Sequence, residues 1–304
     1  MLTATFLGTG AATPTVDRNV AGLAVQREGE TLLFDCGEGT QRQMMRYGVG
    51  FSFTEIFFSH YHADHILGVT GLLRTMGLQD RSAPVTLHGP RGAQRILGAA
   101  ISLGIERNKF PIEIRELSPG DRLARAEYDI VVFETEHRPG TVGYALVEHT
   151  RLGRFNPDRA RELGVPEGPL WGRLHKGETV VLEDGRSVSP ADLVGAPRRG
   201  RTLVFSGDTR PSLQLIQAAR GADLLIHEAT FGSDELERAK ETGHSTAAEA
   251  ARVAVEAGVR RLVLTHISPR YTRDAPELLA EARAIFPETI IARDGMTIDV
   301  PYTE

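Results

Sequence analysis

Four side chains that ligate metals stand within the seven positions Ser59-His-Tyr-His-Ala-Asp-His65, directly after an apolar strand. A chain built this way must leave the strand in a turn that gathers His60, His62, Asp64 and His65 about one place. His60 and His62 lie two apart and Asp64 and His65 are adjacent, so the first pair can serve one ion and the second pair another. Imidazoles and carboxylates without thiolates suit zinc or a similar divalent ion. Cys36 is the only cysteine, so no internal disulfide can form and a metal site must use His and Asp. Its place at the end of Thr31-Leu-Leu-Phe-Asp-Cys36 reads as a core position.

Two ions need further ligands, expected at other strand ends, where α/β folds place their sites. His137 follows the strand Ile130–Glu134 and precedes the turn Arg138-Pro-Gly140. Asp208 follows Thr202–Phe205 in Ser206-Gly-Asp-Thr209, where Gly207 permits close backbone approach. His266 follows Leu262-Val-Leu-Thr265. The coherent assignment gives His60, His62 and His137 to one ion, Asp64, His65 and His266 to the other, and Asp208 as the bridge. Two divalent ions about 3.5–4 Å apart can generate a hydroxide near neutral pH and stabilise charge on a pentacoordinate phosphorus. Phosphodiester, ester and amide hydrolysis all fit that chemistry.

Other polar residues compete for roles. His244, in Gly243-His-Ser-Thr246, precedes a helix and can donate a proton to a leaving oxygen or bind phosphate; its plainer reading is a structural cap. Glu228, in His227-Glu228, can orient His244 or simply form a buried polar pair. His88, His149 and His175 have no ligand-like context. Gly8-Thr-Gly10 lacks the third glycine of a dinucleotide loop, and Pro14 interrupts the helix such a loop requires.

With 304 residues, 41% hydrophobic and 25% charged, the chain has ample length for a large α/β domain. Its net charge of −5 repels a polyanion in bulk, so nucleic-acid binding would need a local basic surface. Met1 runs straight into strand-like Thr3–Leu7, and no apolar run approaches the roughly 18 residues of a membrane span. A cytoplasmic protein without membrane contact is the expectation.

Strands are expected at Ala4–Leu7, Gly22–Gln26, Leu32–Asp35, Glu55–Phe58, Val85–His88, Ile130–Glu134 and Val142–Val147, then at Thr202–Phe205, Leu224–His227, Arg261–Thr265 and Thr289–Ala292. Helical patterns run over Gly39–Tyr47, Leu67–Met76, Arg91–Ser102, Pro211–Ala219, Ala247–Ala257 and Ala275–Ile285. Thr246 and Glu249 form a capping-box pair for the fifth of these. Two blocks of alternation predict two α/β halves packed through their sheets. Between them, residues 149–201 are rich in Pro, Gly and Arg without a convincing core face, and read as a projecting arm rather than a loose linker.

The chain resembles the ribonuclease Z family of the metallo-β-lactamase superfamily over nearly its whole length. The resemblance rests on Phe6-Leu-Gly-Thr-Gly10, Leu33-Phe-Asp-Cys-Gly-Glu-Gly-Thr-Gln41, the histidine motif with Gly68, Phe205-Ser-Gly-Asp-Thr209, His227-Glu-Ala-Thr230, Gly243-His-Ser-Thr246 and Leu264-Thr-His-Ile-Ser268. It implies one αβ/βα sandwich domain over residues 1–304 with an arm insertion at 150–200. It also implies two Zn2+ per subunit, with Mn2+ or another divalent ion as the alternative. A homodimer is implied, in which one subunit's arm clamps precursor tRNA for the other's active site. Asp64 would accept the water's proton and His244 would assist the leaving oxygen. The products would be tRNA with a 3′-hydroxyl and a trailer with a 5′-phosphate. Gly168 and Pro169, within Gly168-Pro-Leu-Trp-Gly172, match the arm's substrate-binding segment. Arg18 and Asn19 match the family's Pro-x-Lys-x-Arg-Asn loop, whereas Val16 stands in place of its Lys. That departure removes a cationic substrate contact and bears on where the cut falls relative to CCA.

Three other readings compete with a precursor-tRNA endoribonuclease. A hydrolase of small phosphodiesters or esters on the same fold has little use for a long Arg-bearing arm. A non-catalytic RNA-binding protein need not keep seven ligands. A β-lactamase would show a drug-binding loop between the metal motifs, and none is evident.

Overall fold

Every residue of the first strand, Leu2–Gly8, is buried, which a strand achieves only when its sheet is covered on both faces. The computed structural model describes residues 1–105, 107–271 and 273–303. Its first half comprises β1 (Leu2–Gly8), β2 (Gly22–Arg27), β3 (Glu30–Phe34), α1 (Thr40–Arg46), β4 (Glu55–Phe57), α2 (Ala63–Ile66), α3 (Val69–Leu78), β5 (Val85–Gly89), α4 (Ala93–Ile101) and β6 (Ile112–Glu116). Next come β7 (Arg122–Ala124), β8 (Tyr128–Glu134) and β9 (Val142–Glu148), then α5 (Pro157–Glu162), α6 (Pro169–His175), β10 (Val180–Val181) and β11 (Ser187–Val188). The chain closes with β12 (Thr202–Phe205), α7 (Leu213–Ala218), β13 (Leu224–Glu228), α8 (Leu236–Thr242), α9 (Ala247–Ala257), β14 (Leu262–Thr265), α10 (Pro276–Ile285), β15 (Thr289–Ile291) and β16 (Thr297–Asp299).

Two compact units result: residues 1–147 with 202–301, and residues 148–201 with the C-terminal Tyr302. The larger unit holds two seven-stranded sheets, ordered β16-β1-β2-β3-β4-β5-β6 and β15-β14-β13-β12-β9-β8-β7. In each, a parallel block (β3 to β6; β12 to β15) adjoins antiparallel strands. Parallel pairing requires crossover connections, and helices supply them.

Three apolar clusters account for the layers. Phe6, Phe34 and Phe57 of the first sheet meet Ile130, Tyr144, Phe205 and Ile226 of the second. Leu72, Leu73 and Leu97 pack on the outer face of the first sheet. Ala250, Ala251, Ala254 and Leu278 pack on that of the second. The larger unit is therefore the expected αβ/βα four-layer sandwich. Tyr144 sits between the sheets without cost to its hydroxyl, which donates to Phe58 O at 2.7 Å.

The smaller unit corrects one expectation. It has a core of its own: Ala160, Val165, Leu174, Val180, Leu182, Val188 and Leu193, flanked by Phe155 and Trp171. Trp171 Nε1 donates to Val165 O at 3.1 Å. Gly168, at φ +132°, precedes Pro169 at the first turn of α6, and both are exposed. A buried pair, Arg201 to Glu148 at 2.7 Å, ties the two ends of the unit together. Among the described residues no helix is long and apolar enough to cross a membrane.

Candidate metal centre and active site

The strand β4 delivers Ser59 and His60 into a turn, and α2 carries Asp64 and His65 back toward it. Glycines let this loop sit on its neighbours: a Cβ on Gly37 would lie 2.1 Å from Asp64 O, and one on Gly68 2.0 Å from Gly37 O. From the second sheet, His137 follows β8, Asp208 follows β12 and His266 follows β14. Gly207, at φ +60°, turns the β12 loop where a Cβ would strike Ser59 Cβ at 2.7 Å. All seven expected ligands thus meet at one end of the sandwich. The donor atoms of His60, His62, His137 and Asp208 lie within 4.8 Å of one another, as do those of Asp64, His65 and His266. Asp208 reaches both groups, with Oδ2 3.5 Å from His60 Nε2 and 3.4 Å from His65 Nε2, and Oδ1 3.4 Å from His266 Nε2.

Hydrogen bonds behind the histidines fix which nitrogen faces inward. His65 Nδ1 donates to Asp35 Oδ2 at 2.8 Å, and His137 Nδ1 donates to the Gly243 carbonyl at 2.8 Å. The Ser59 hydroxyl spends its proton on Asp35 Oδ2, so it accepts from His60 Nδ1 at 3.0 Å. Thr230 Oγ1 likewise donates to Glu228 Oε2 and accepts from His266 Nδ1 at 2.9 Å. Four histidines therefore turn Nε2 toward the centre, as metal ligands held from behind do.

There they crowd. His60 Nε2 lies 2.9 Å from His62 Nδ1, and His65 Nε2 lies 3.3 Å from His266 Nε2. Ring nitrogens this close, beside four carboxylates in a largely buried pocket, fit positive charge between them, whether protons or metal cations. The field agrees. Burial disfavours a charged His65, yet Asp208 and Asp35 outweigh it and raise its pKa well above the ordinary value. Burial works against ionised Asp208 too, but His266, His65 and His60 hold it well below the carboxylate range. His60, His62 and His137 shift the other way, kept neutral chiefly by desolvation.

Beside this cluster, His244 Nδ1 lies 2.8 Å from Glu228 Oε1 and 3.9 Å from Asp208 Oδ2. Burial opposes its charge, but ionised Glu228 outweighs burial and raises its pKa to about 9. Glu228 is fixed in turn by the Thr209 N–H at 3.0 Å. Arg210 donates to His244 O at 2.6 Å and pairs with Glu249, which also completes the expected capping box with Thr246.

Some functional residues escaped the sequence reading. Asp35 does not continue β3: it stands at φ +55°, its carboxylate shared among Ser59 N, Ser59 Oγ and His65 Nδ1. The signal was present, since it too is an Asp just past an apolar run. Thr230 and Arg210 left no such mark.

Arg18 requires correction. It is 4% exposed, its guanidinium turned into the protein. Its guanidinium donates to Thr9 Oγ1, Ala292 O and Arg273 O at 2.6–2.7 Å, so it knits three segments together. Asn19 stays half-buried on a cleft wall, with its N–H on Asp294 Oδ2 at 2.6 Å. Cys36, His88 and His227 are buried; His88 stacks on Phe57 at 4.5 Å and meets Glu55.

A four-layer αβ/βα sandwich with His and Asp donors at its strand ends defines a metal-dependent hydrolase of the metallo-β-lactamase fold. Residues 2–153 match the family model described as Anti-Pycsar protein Apyc1, and residues 173–267 match the Beta-lactamase superfamily domain. The chain is 58% identical to Ribonuclease Z of Gemmatimonas aurantiaca over 301 residues, spanning 98% of this chain and 96% of the relative. Against Ribonuclease Z of Myxococcus xanthus the identity is 56%, spanning 100% and 99%. The crystal structure of human tRNase Z, short form, superposes with a TM-score of 0.72 at 28% identity, spanning 98% of this chain and 99% of that one. Full-length likeness of this degree decides the family: the chain belongs to the ribonuclease Z family.

Proposed function

We propose that this chain is an endoribonuclease that removes the 3′ trailer from precursor tRNA, with two zinc ions in the seven-ligand pocket. The observation that carries the reading is the pairing of that pocket with the Glu228–His244 couple at its edge. His60, His62, His137 and Asp208 would hold one ion, and Asp64, His65, His266 and the shared Asp208 the other. Bound divalent cations supply Lewis acidity, lowering the pKa of water and offsetting phosphate charge.

The chain's own groups move the protons. Asp64 is available as a base: burial would raise its pKa, but the His266 contact and the His65 charge keep it ionised. It is steadied by the Ala12 N–H at 2.8 Å. Asp64 takes a proton from the attacking water as the new O–P bond forms. His244, held as an imidazolium by Glu228, gives its Nε2 proton to the departing O3′ as the P–O3′ bond breaks. The tRNA keeps a 3′-hydroxyl and the trailer a 5′-phosphate.

The smaller unit serves as the tRNA-holding arm, with exposed Gly168 and Pro169 in contact with RNA. Asn19 stands near the substrate end. A homodimer working in the cytoplasm completes the reading. End-mapping of a trailer-bearing precursor tRNA, with and without chelator, tests it. Cleavage at the trailer junction that chelator abolishes is expected; absent or chelator-insensitive cleavage refutes it.

A further inference from the structure

Val16 leaves the loop after the glycine turn without the family's lysine, and the neighbouring Arg18 is buried. Other arginines face the space that Arg18 does not. A cleft of about 460 Å³ opens between the loop bearing Val16 and Asn19, the outer side of α1, and the segment at Arg273. Arg42 and Arg46 of α1 and Arg273 line it, and all three are exposed. Arg42 and Arg46 are four residues apart, so they stand on one helix face about 6 Å apart at their Cβ atoms.

None of the three forms an ion pair among the described residues, although Asp17 and Asp294 also line the cleft. Asp294 is spent on Thr9 Oγ1, Asn19 N and Gln43 Nε2 at 2.6–2.7 Å. The contrast with the arm is informative. There Arg159, Arg161, Arg173 and Arg186 each already hold an Asp or Glu.

The cleft is close to the chemistry. Ala12 N–H touches Asp64, and the four residue steps from Ala12 to Val16 span at most about 14 Å. Arginines without acidic partners, on a chain of net charge −5, make a local anion track where bulk electrostatics supply none. Their forks suit phosphate oxygens.

We propose that Arg42, Arg46 and Arg273 form a subsite for RNA backbone phosphates within a few nucleotides of the scissile bond. The inference rests on the endoribonuclease reading. The buried Arg18 is its positioning residue, because it holds the Arg273 carbonyl against the Thr9 and Ala292 segments.

The test uses the Arg42→Ala/Arg46→Ala double variant, and Lys at both positions as the rescue. Binding is measured on the non-cleaving Asp64→Ala background and KM in the otherwise intact enzyme. The expected result is a rise of about tenfold in Kd and KM for precursor tRNA, and a drop of about 1.5 in the slope of log affinity against log salt. Lys should restore most of both. Turnover of a small chromogenic phosphodiester, too short to reach the cleft, should hold steady. Unchanged affinity and salt slope overturn the subsite, as does an equal loss on the small substrate.

Two trailer lengths identify the strand. A defect seen with a long trailer but lost with a single-nucleotide trailer places trailer phosphates in the cleft; an equal defect with both places acceptor-stem phosphates there. Either pattern supports the subsite. A parent enzyme that leaves precursor tRNA intact refutes the functional reading, whereas a parent that cleaves alongside indifferent variants refutes the subsite alone.

Discussion

The candidate metal pocket and the arm unit use their carboxylates in opposite ways. In the pocket, carboxylates and imidazoles are buried, and four histidines have their outer nitrogen on a fixed oxygen. In the arm, arginines and acids pair on the surface, with side chains half or more exposed. Buried groups cannot exchange partners without a large penalty, whereas exposed pairs are worth little and trade freely with solvent or another anion. The pocket is therefore organised before substrate arrives. The arm's surface pairs, by contrast, are held weakly and exchange readily.

The largest effect should come from the pocket. Asp64→Ala removes a proposed ligand and the proposed base together, and single-turnover cleavage should fall by about a thousandfold or more, with circular dichroism unchanged. Near-normal turnover would break the two-ion reading. Next, Glu148→Ala leaves Arg201 charged and buried, costing about 3–5 kcal/mol of stability. Urea titration reads that loss, and a variant as stable as the parent would mean that Arg201 finds water.

Asp35→Ala frees His65 and Ser59 at once. Metal affinity, read by competition with a chelating dye, should weaken by about 10–100-fold. No change would show that the ligands hold themselves. Removing residues 150–199 should cut kcat/KM on precursor tRNA by about tenfold or more, through lost effective concentration, while sparing a small phosphodiester. Equal losses on both substrates would deny the arm its role. Arg159→Ala, which breaks only its exposed pair with Glu162, should leave the thermal midpoint where it was; a clear drop would mean that the arm's surface pairs are held as firmly as those of the pocket.

What the sequence disclosed follows the same division. His60, His62, His65, His137, Asp208 and His266 were legible because each is an unusual residue just after an apolar run, and the sandwich puts those strand ends together. Asp35 obeys the same rule but lies inside an otherwise strand-like stretch, and only its positive φ reveals the turn. Arg18 misled because a charge in sequence carries no sign of burial, and its partners are carbonyls of residues hundreds of positions away. The edge strands β6 and β7 went unread: β6 alternates over only two isoleucines, Ile112 and Ile114, and β7 places only Leu123 half-buried. The arm's core is assembled from single residues scattered over short elements, so no window of sequence shows a face.

Glu228 ends up in two circuits. One oxygen holds His244 and the other holds Thr230, which holds His266. The proposed proton donor and a proposed metal ligand thus hang from one carboxylate. On that reading, a substitution at Glu228 shifts proton delivery and metal affinity together.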